Sequence, residues 1–160
     1  MWVGTSLTQS LTSRPQIQAC FSPEQDCAAI VVHWISQAKI SVHVLMFTFT
    51  LPQVADALID AKSRGLDVRV VLERSQETSE VVRGRLLKAG IEVRMDSNEA
   101  LMHDKIAVVD SKLILTGSFN WTESAKSSNN ENLLAISDPT LAQTYESQFQ
   151  AIWNESSGST

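Results

Sequence analysis

The sequence predicts an α/β fold, with a mixed, mostly parallel central β-sheet flanked by helices on both faces. Three observations point to it. Through the first 95 residues, short β-branched runs alternate with stretches of helical periodicity, the pattern of βαβ units. Past residue 100, two strand-like runs follow each other across a tight turn, which adds antiparallel pairing to the sheet. With 160 residues, 43% of them apolar and 19% charged, the chain suits one globular core.

Residues 1–15 are polar and Ser/Thr-rich and read as a flexible segment, so the domain is expected to span residues 16–154. Ile17–Phe21 is the first strand. Ser22 and Pro23 then read as the N-cap and first position of a helix. Cys27, Ile30, Val31, Trp34 and Ala38 recur on one side of that helix and should face the core. Ile40–Phe47 is a strand, rich in β-branched and aromatic residues. A helix from Pro52 to Arg64 ends at Gly65, a C-cap. Asp67–Leu72 is a strand, Thr78–Ala89 a helix stopped by Gly90, and Ile91–Met95 a fourth strand.

Met102–Val109 and Lys112–Thr116 form the expected hairpin, turning at Asp110-Ser111. A short helix over Asn120–Lys126, a polar loop over Ser127–Asn130 and a strand over Glu131–Ile136 follow. The last helix, Pro139–Trp153, places Leu141, Tyr145, Phe149 and Ile152 on one side, and residues 155–160 read as a disordered tail. No internal repeat is visible.

The formal charge of −5 argues against a broad basic face for nucleic acid, although it leaves room for a local basic groove. The longest apolar run, Ala28–Ile35, is too short to span a bilayer and contains His33. Residues 1–15 lack the apolar stretch of a signal peptide. The chain therefore reads as cytoplasmic, or as periplasmic or secreted if a leader has been removed. Cys20 and Cys27 are the only cysteines and make a poor zinc site. They read as two small buried residues, one on a strand and one on a helix, with a disulfide open only to a chain in an oxidising compartment.

The chemistry concentrates in Met102–Thr122. Alternate residues of a strand share a face, so His103 and Lys105 would project together about 7 Å apart. An imidazole beside an ammonium suits an anionic substrate. Histidine serves as nucleophile or acid/base near neutral pH, and lysine as a point charge for a phosphate oxygen. Gly117 and Ser118 fall where a strand gives way to a helix, so backbone N–H groups and the hydroxyl are expected to face an anion. Asn120 adds an amide donor in the first turn. Asp110 falls at the hairpin turn, on the opposite strand face from His103, and reads as structural.

His103-x-Lys105-x4-Asp110-x6-Gly117-Ser118-x-Asn120 resembles the full signature of the phospholipase D superfamily, with no departure at any motif position. Met46–Thr50, Ala61–Leu72 and Asn129–Ile136 are similar to the corresponding segments of its small bacterial endonucleases. The mitochondrial cardiolipin hydrolase and piRNA-pathway nuclease branch is similar too. The resemblance covers Ile17–Trp153 and implies a phospholipase D-like fold and a phosphodiesterase that uses no cofactor and no metal. His103 would attack phosphorus to give a phosphohistidine, while a second histidine protonates the leaving oxygen. Lys105, Gly117, Ser118 and Asn120 would bind the phosphate. Glu131 would hydrogen-bond His103 and fix its tautomer.

That mechanism needs two histidines and the chain has one motif. His33 reads as an outward-facing helix residue and His43 as a sheet residue, so a homodimer with a shared active site is expected. Three substrate readings follow. The first is a sequence-nonspecific endonuclease on DNA or RNA, with Arg83, Arg85, Lys88 and Arg94 as part of a phosphate-tracking groove. Trp121 reads as core rather than a base-stacking platform. A lipid hydrolase ranks below it, because no amphipathic basic helix is visible for a membrane surface. The third is a catalytically silent nucleic-acid-binding module, which the intact motif disfavours.

Overall fold

The computed structural model describes residues 15–158. Apart from Pro15, the segment expected to be flexible lies outside the described residues. Eight strands form one sheet: β1 (Gln16–Ser22), β2 (Ser41–Met46), β3 (Asp67–Leu72), β4 (Glu92–Met95), β5 (Lys105–Val109), β6 (Leu113–Gly117), β7 (Glu131–Ser137) and β8 (Ser157–Gly158). The helices are α1 (Cys27–Gln37), α2 (Pro52–Ser63), α3 (Glu80–Lys88), α4 (Glu123–Ser127) and α5 (Pro139–Glu155), with a short 3-10 turn at Glu77–Ser79 before α3.

The sheet order is β1-β7-β6-β5-β2-β3-β4-β8. It is mixed and covered by helices on both faces, as expected, but only β2–β3 and β3–β4 pair in parallel. The expectation of a mostly parallel sheet is corrected here. The strand-helix alternation gave β1 through β4 a common sense, and they have it. However, β7, β6 and β5 insert between β1 and β2, and four antiparallel steps separate those two strands.

One core lies between the sheet and α1, α2 and α3, and includes Val31, Ile35, Leu58, Val70, Leu86 and Leu115. The other lies under α5, where Phe149 and Trp153 meet Leu45, Val71, Val108 and Ile114. Leu141, Tyr145 and Ile152 pack against it, on the side of α5 that the periodicity assigned to them. Strands buried on both faces explain the near-continuous apolar runs of β2 and β5.

Local readings fail where tertiary contacts outbid them. Ser22 does not cap α1; it ends β1, 2% exposed, with its hydroxyl on Ala125 O at 2.7 Å. The cap is Asp26, whose Oδ1 accepts from the Ala29 N–H at 3.1 Å. Cys20 and Cys27 are joined by a disulfide with Cα atoms 5.7 Å apart, which corrects the unpaired reading. The turn after β1, closed by a Gln25 N–H bond to Phe21 O, folds the start of α1 back onto the strand. At the other end, α5 runs through Glu155, and Ser157–Gly158 pair with Met95 and Arg94 as β8. Of the residues expected as a disordered tail, Glu155 ends α5 and Ser157–Gly158 extend the sheet over one short edge, while residues 159–160 lie outside the described residues.

The β5–β6 turn is made as expected, with Asp110 and Ser111 at φ 54 and 50. The Asp110 carboxylate accepts backbone N–H groups from Lys39, Ile40 and Ser41 at 2.7 to 3.1 Å, which ties this turn to the start of β2. Among the described residues, no helix is long and apolar enough to cross a membrane.

Candidate active site

The end of the sheet where β2, β3, β4 and β6 finish and β5 and β7 begin gathers the polar residues of the motif. His103 is exposed and precedes β5, so the strand expected from Met102 starts only at Lys105. The reason is local: the Met102 N–H bonds Glu73 Oε2 at 2.7 Å instead of joining the ladder. The His103 ring packs edge-on against Phe47, with centroids 4.4 Å apart. Phe47 in turn donates its N–H to Asp104 O at 2.9 Å.

Lys105 is 9% exposed. Its Nζ donates to His103 O at 2.7 Å and lies 4.9 Å from the Phe47 ring centre. The ammonium is therefore held close under the histidine's own backbone, with the aromatic ring serving both groups. Burial lowers the Lys105 pKa below its ordinary 10.5, while the nearby charges of Asp104 and Glu131 act in the opposite direction. Burial likewise raises the Asp104 carboxyl, against the attraction of Lys105 and His103.

Ser118, Glu131 and Asn132 form a tight polar knot. Ser118 Oγ donates to Glu131 Oε2 at 2.5 Å and accepts from the Asn132 N–H at 3.0 Å. The other Glu131 oxygen accepts from Asn129 Nδ2 at 3.0 Å. The partners of Glu131 in this structure are thus Ser118 and Asn129 and not His103, the contact implied by the resemblance. The Ser118 and Phe119 N–H groups both point to Asn132 O, at 3.1 and 3.2 Å. They do not form the anion-binding helix start that was expected. The β6–β7 pairing consumes these donors, and α4 begins only at Glu123, capped by Thr122. Asn120 Oδ1 accepts from the Thr48 N–H at 3.3 Å, which leaves its NH2 group as the donor for a ligand.

Sequence reasoning missed the residues that hold this arrangement. Phe47 and Thr48 link His103 to Asn120 across the end of β2. Glu73, 1% exposed, accepts from Met102 N and from Ser75 N at 3.0 Å and fixes the segment before His103. Burial works against its charge, but hydrogen bonds from Ser75 and Met102 and the Arg74 charge hold the carboxyl below its ordinary value. The signal was a glutamate directly following the apolar run of β3. Beside His103 lies a pocket of about 600 Å³ lined also by Met102, Asp104, Asp96, Asn98 and Gln148. Desolvation raises the Asp96 carboxyl in this wall. Another cavity, about 470 Å³ between α1 and α2, contains none of these groups.

The remaining candidates fall elsewhere. His33 is exposed on α1. His43 is buried in β2, with Nδ1 2.8 Å from Glu146 and Nε2 3.3 Å from Asp67, stacked on Phe149. Trp121 is buried and edge-on to Phe49, a core role as expected. Arg83 pairs with Glu80, Arg85 with Asp56, and Arg94 lies 4.0 Å over the Trp153 ring. Arg74, passed over in the sequence, is exposed at the end of β3 beside Glu73. Among the described residues, no group of three or more His, Cys, Asp or Glu is placed to hold a metal ion.

Residues 31–153 match the family described as "Cardiolipin synthase, PLD-like domain". The chain is 35% identical over 124 residues to a mitochondrial cardiolipin hydrolase of Chlamydomonas reinhardtii, covering 76% of this chain and 55% of that protein. It is 34% identical over 139 residues to a phospholipase D of Rickettsia bellii, covering 85% of this chain and 68% of that protein. This chain thus spans about half to two thirds of these relatives' lengths. Among solved structures, it is similar to Nuc of Salmonella typhimurium, a phospholipase D family member. There the TM-score is 0.87 at 34% identity, over 91% of this chain and 99% of that one.

Proposed function

The chain belongs to the phospholipase D superfamily, and we propose that it is a hydrolase of the phosphodiesterase type, a sequence-nonspecific endonuclease working through a phosphohistidine in a homodimer. The observation that carries the chemistry is the exposed His103 imidazole, set on Phe47 next to the buried Lys105 ammonium at the mouth of a pocket. A His103 ring nitrogen attacks phosphorus and the bond to the leaving oxygen breaks. A second imidazolium gives its proton to that oxygen. Water then attacks phosphorus, surrenders a proton to the same second imidazole, and the P–N bond breaks to return His103. Lys105 and the Asn120 amide stabilise the charge on the phosphoryl oxygens, Ser118 meets the phosphate only by turning its hydroxyl from Glu131, and no metal takes part.

The second imidazole is His103 of another copy. Of the chain's three histidines, His33 lies on an outer helix and His43 has both ring nitrogens on carboxylates. The exposed Ile17 and Phe21 of β1 support a pairing surface. Phe21 stands opposite Asn132, next to the Ser118–Glu131 knot.

Nucleic acid is favoured by the near-complete coverage of the compact Nuc chain and by the endonuclease-like segments around the motif. A lipid phosphodiester is the second reading, supported by relatives named for cardiolipin and phospholipid hydrolysis. The deciding experiment offers single- and double-stranded DNA and RNA, and cardiolipin vesicles, to the protein in excess EDTA. Cleavage of nucleic acid is expected. Hydrolysis of vesicles alone would transfer the assignment to lipid, and turnover of neither would overturn both readings.

The alkaline limb of the rate is a further expected result. Lys105 serves only when charged, and burial lowers its pKa, so kcat/KM should fall as pH rises at values below those of an ordinary lysine. Lys105→Arg should move that limb upward, because guanidinium stays protonated. A pH–rate profile with the same limb in both proteins would remove Lys105 from the charged role.

A further inference from the structure

The end of β1 reaches the knot from outside the motif. Ser22 stands opposite Glu131 in the β1–β7 register. Its hydroxyl lies 2.7 Å from Ala125 O and 3.3 Å from Asn129 O, on the turn that leads into Glu131. Asn129 donates to one Glu131 oxygen and Ser118 to the other. Two residues before Ser22, Cys20 is bonded to Cys27 at the start of α1, and both cysteines are fully buried. Among the described residues, β1 is an edge strand with β7 as its neighbour. The end of such a strand opens easily unless something ties it down.

We propose that the Cys20–Cys27 bridge and Ser22 form a positioning brace for the Glu131–Ser118 pair, so that full activity requires the oxidised chain. The inference rests on the reading of that pair as part of the active site. The bridge fixes the last turn of β1 to α1, Ser22 fixes the 125–129 segment to β1, and Asn129 passes the restraint to Glu131. Reduction by a dithiol, which gives two electrons and two protons and leaves as its own disulfide, frees two thiols and releases the strand end. The brace therefore suits work in an oxidising compartment.

The test compares the oxidised protein with Cys20→Ala/Cys27→Ala, Ser22→Ala and the triple variant, each checked for fold by circular dichroism. The double variant and Ser22→Ala should each lose kcat by roughly ten- to a hundredfold with KM nearly unchanged, the scale of small misplacements at a catalytic centre. The triple variant should be no worse than either, because all three changes break one brace. The amide protons of Ser118, Phe119 and Asn132 should exchange faster in every variant. Folded variants with unchanged kcat and unchanged exchange, or losses that multiply in the triple, would overturn the brace. If the double variant does not fold, Ser22→Ala decides alone. If no substrate is turned over by any of the four proteins, the functional reading fails while the exchange rates still judge the brace.

Discussion

His103→Ala is expected to abolish phosphodiester cleavage, with a loss beyond the roughly 10²–10⁴-fold that follows removal of a general acid or base. The larger loss follows from the route. A base can be replaced in part by water, but the covalent intermediate has no substitute once its ring nitrogen is gone. The fold should be untouched, since the ring is exposed and Phe47, the aromatic ring it packs on among the described residues, is itself half-buried. The same variant tests the shared site. If one His103 attacks and its mate donates the proton, a mixed dimer lacks one of the two and is inactive. After subunit exchange at equal amounts, about one quarter of the dimers should be wild type on both sides, and total activity should fall accordingly. Activity that stays at half would mean that each protomer works alone, and His103→Ala at near wild-type rate would remove the phosphohistidine altogether.

The motif was legible because its residue types are chemically unusual in a buried strand region, and each of its members lies at or beside the same end of the sheet except Asp110. That residue lies at the far end of β5 and serves backbone N–H groups of the β2 entry. The helices and strands were legible from periodicity and from Gly65 and Gly90. What a local pattern cannot carry is who lies across from whom. Strand sense was readable for β1 through β4, whereas adjacency was decided by three later strands. Ser22 carries the composition of a helix cap, yet its hydroxyl meets a carbonyl 103 positions away. The roles of Glu131 and of the Gly117–Ser118 donors depended on Asn129 and Asn132, whose asparagines look like ordinary loop residues. Glu73 shows the same limit. A buried carboxylate after a strand signals a polar partner, but only the fold identifies that partner as the backbone next to His103.

Gly117→Ala should be the most damaging single methyl added to the site. Gly117 has φ 152, a backbone region that L side chains rarely occupy. A Cβ there would lie 2.2 Å from Asn132 O and 2.8 Å from Asn132 Oδ1. The first of these is backbone, so no side-chain rotation relieves the overlap. β7 must move away from β6, and Asn132 O is the acceptor for both Ser118 N and Phe119 N. Backbone strain and overpacking each cost about 1–3 kcal/mol, so a loss of about 3 kcal/mol is expected. At roughly 2–4 °C per kcal/mol for a domain of this size, Tm should fall by about 6–12 °C. Activity should fall too at temperatures where the variant remains folded, by about a hundredfold, because the displaced Ser118 carries Glu131 with it. Gly84→Ala is the matched control. Gly84 lies in α3 with nothing within 4 Å of its Cβ position, so the same methyl should raise stability by about 0.5–1 kcal/mol and leave the rate alone. If Gly117→Ala were as stable and as active as Gly84→Ala, the close approach of β6 to Asn132 would not be what holds Ser118 in place.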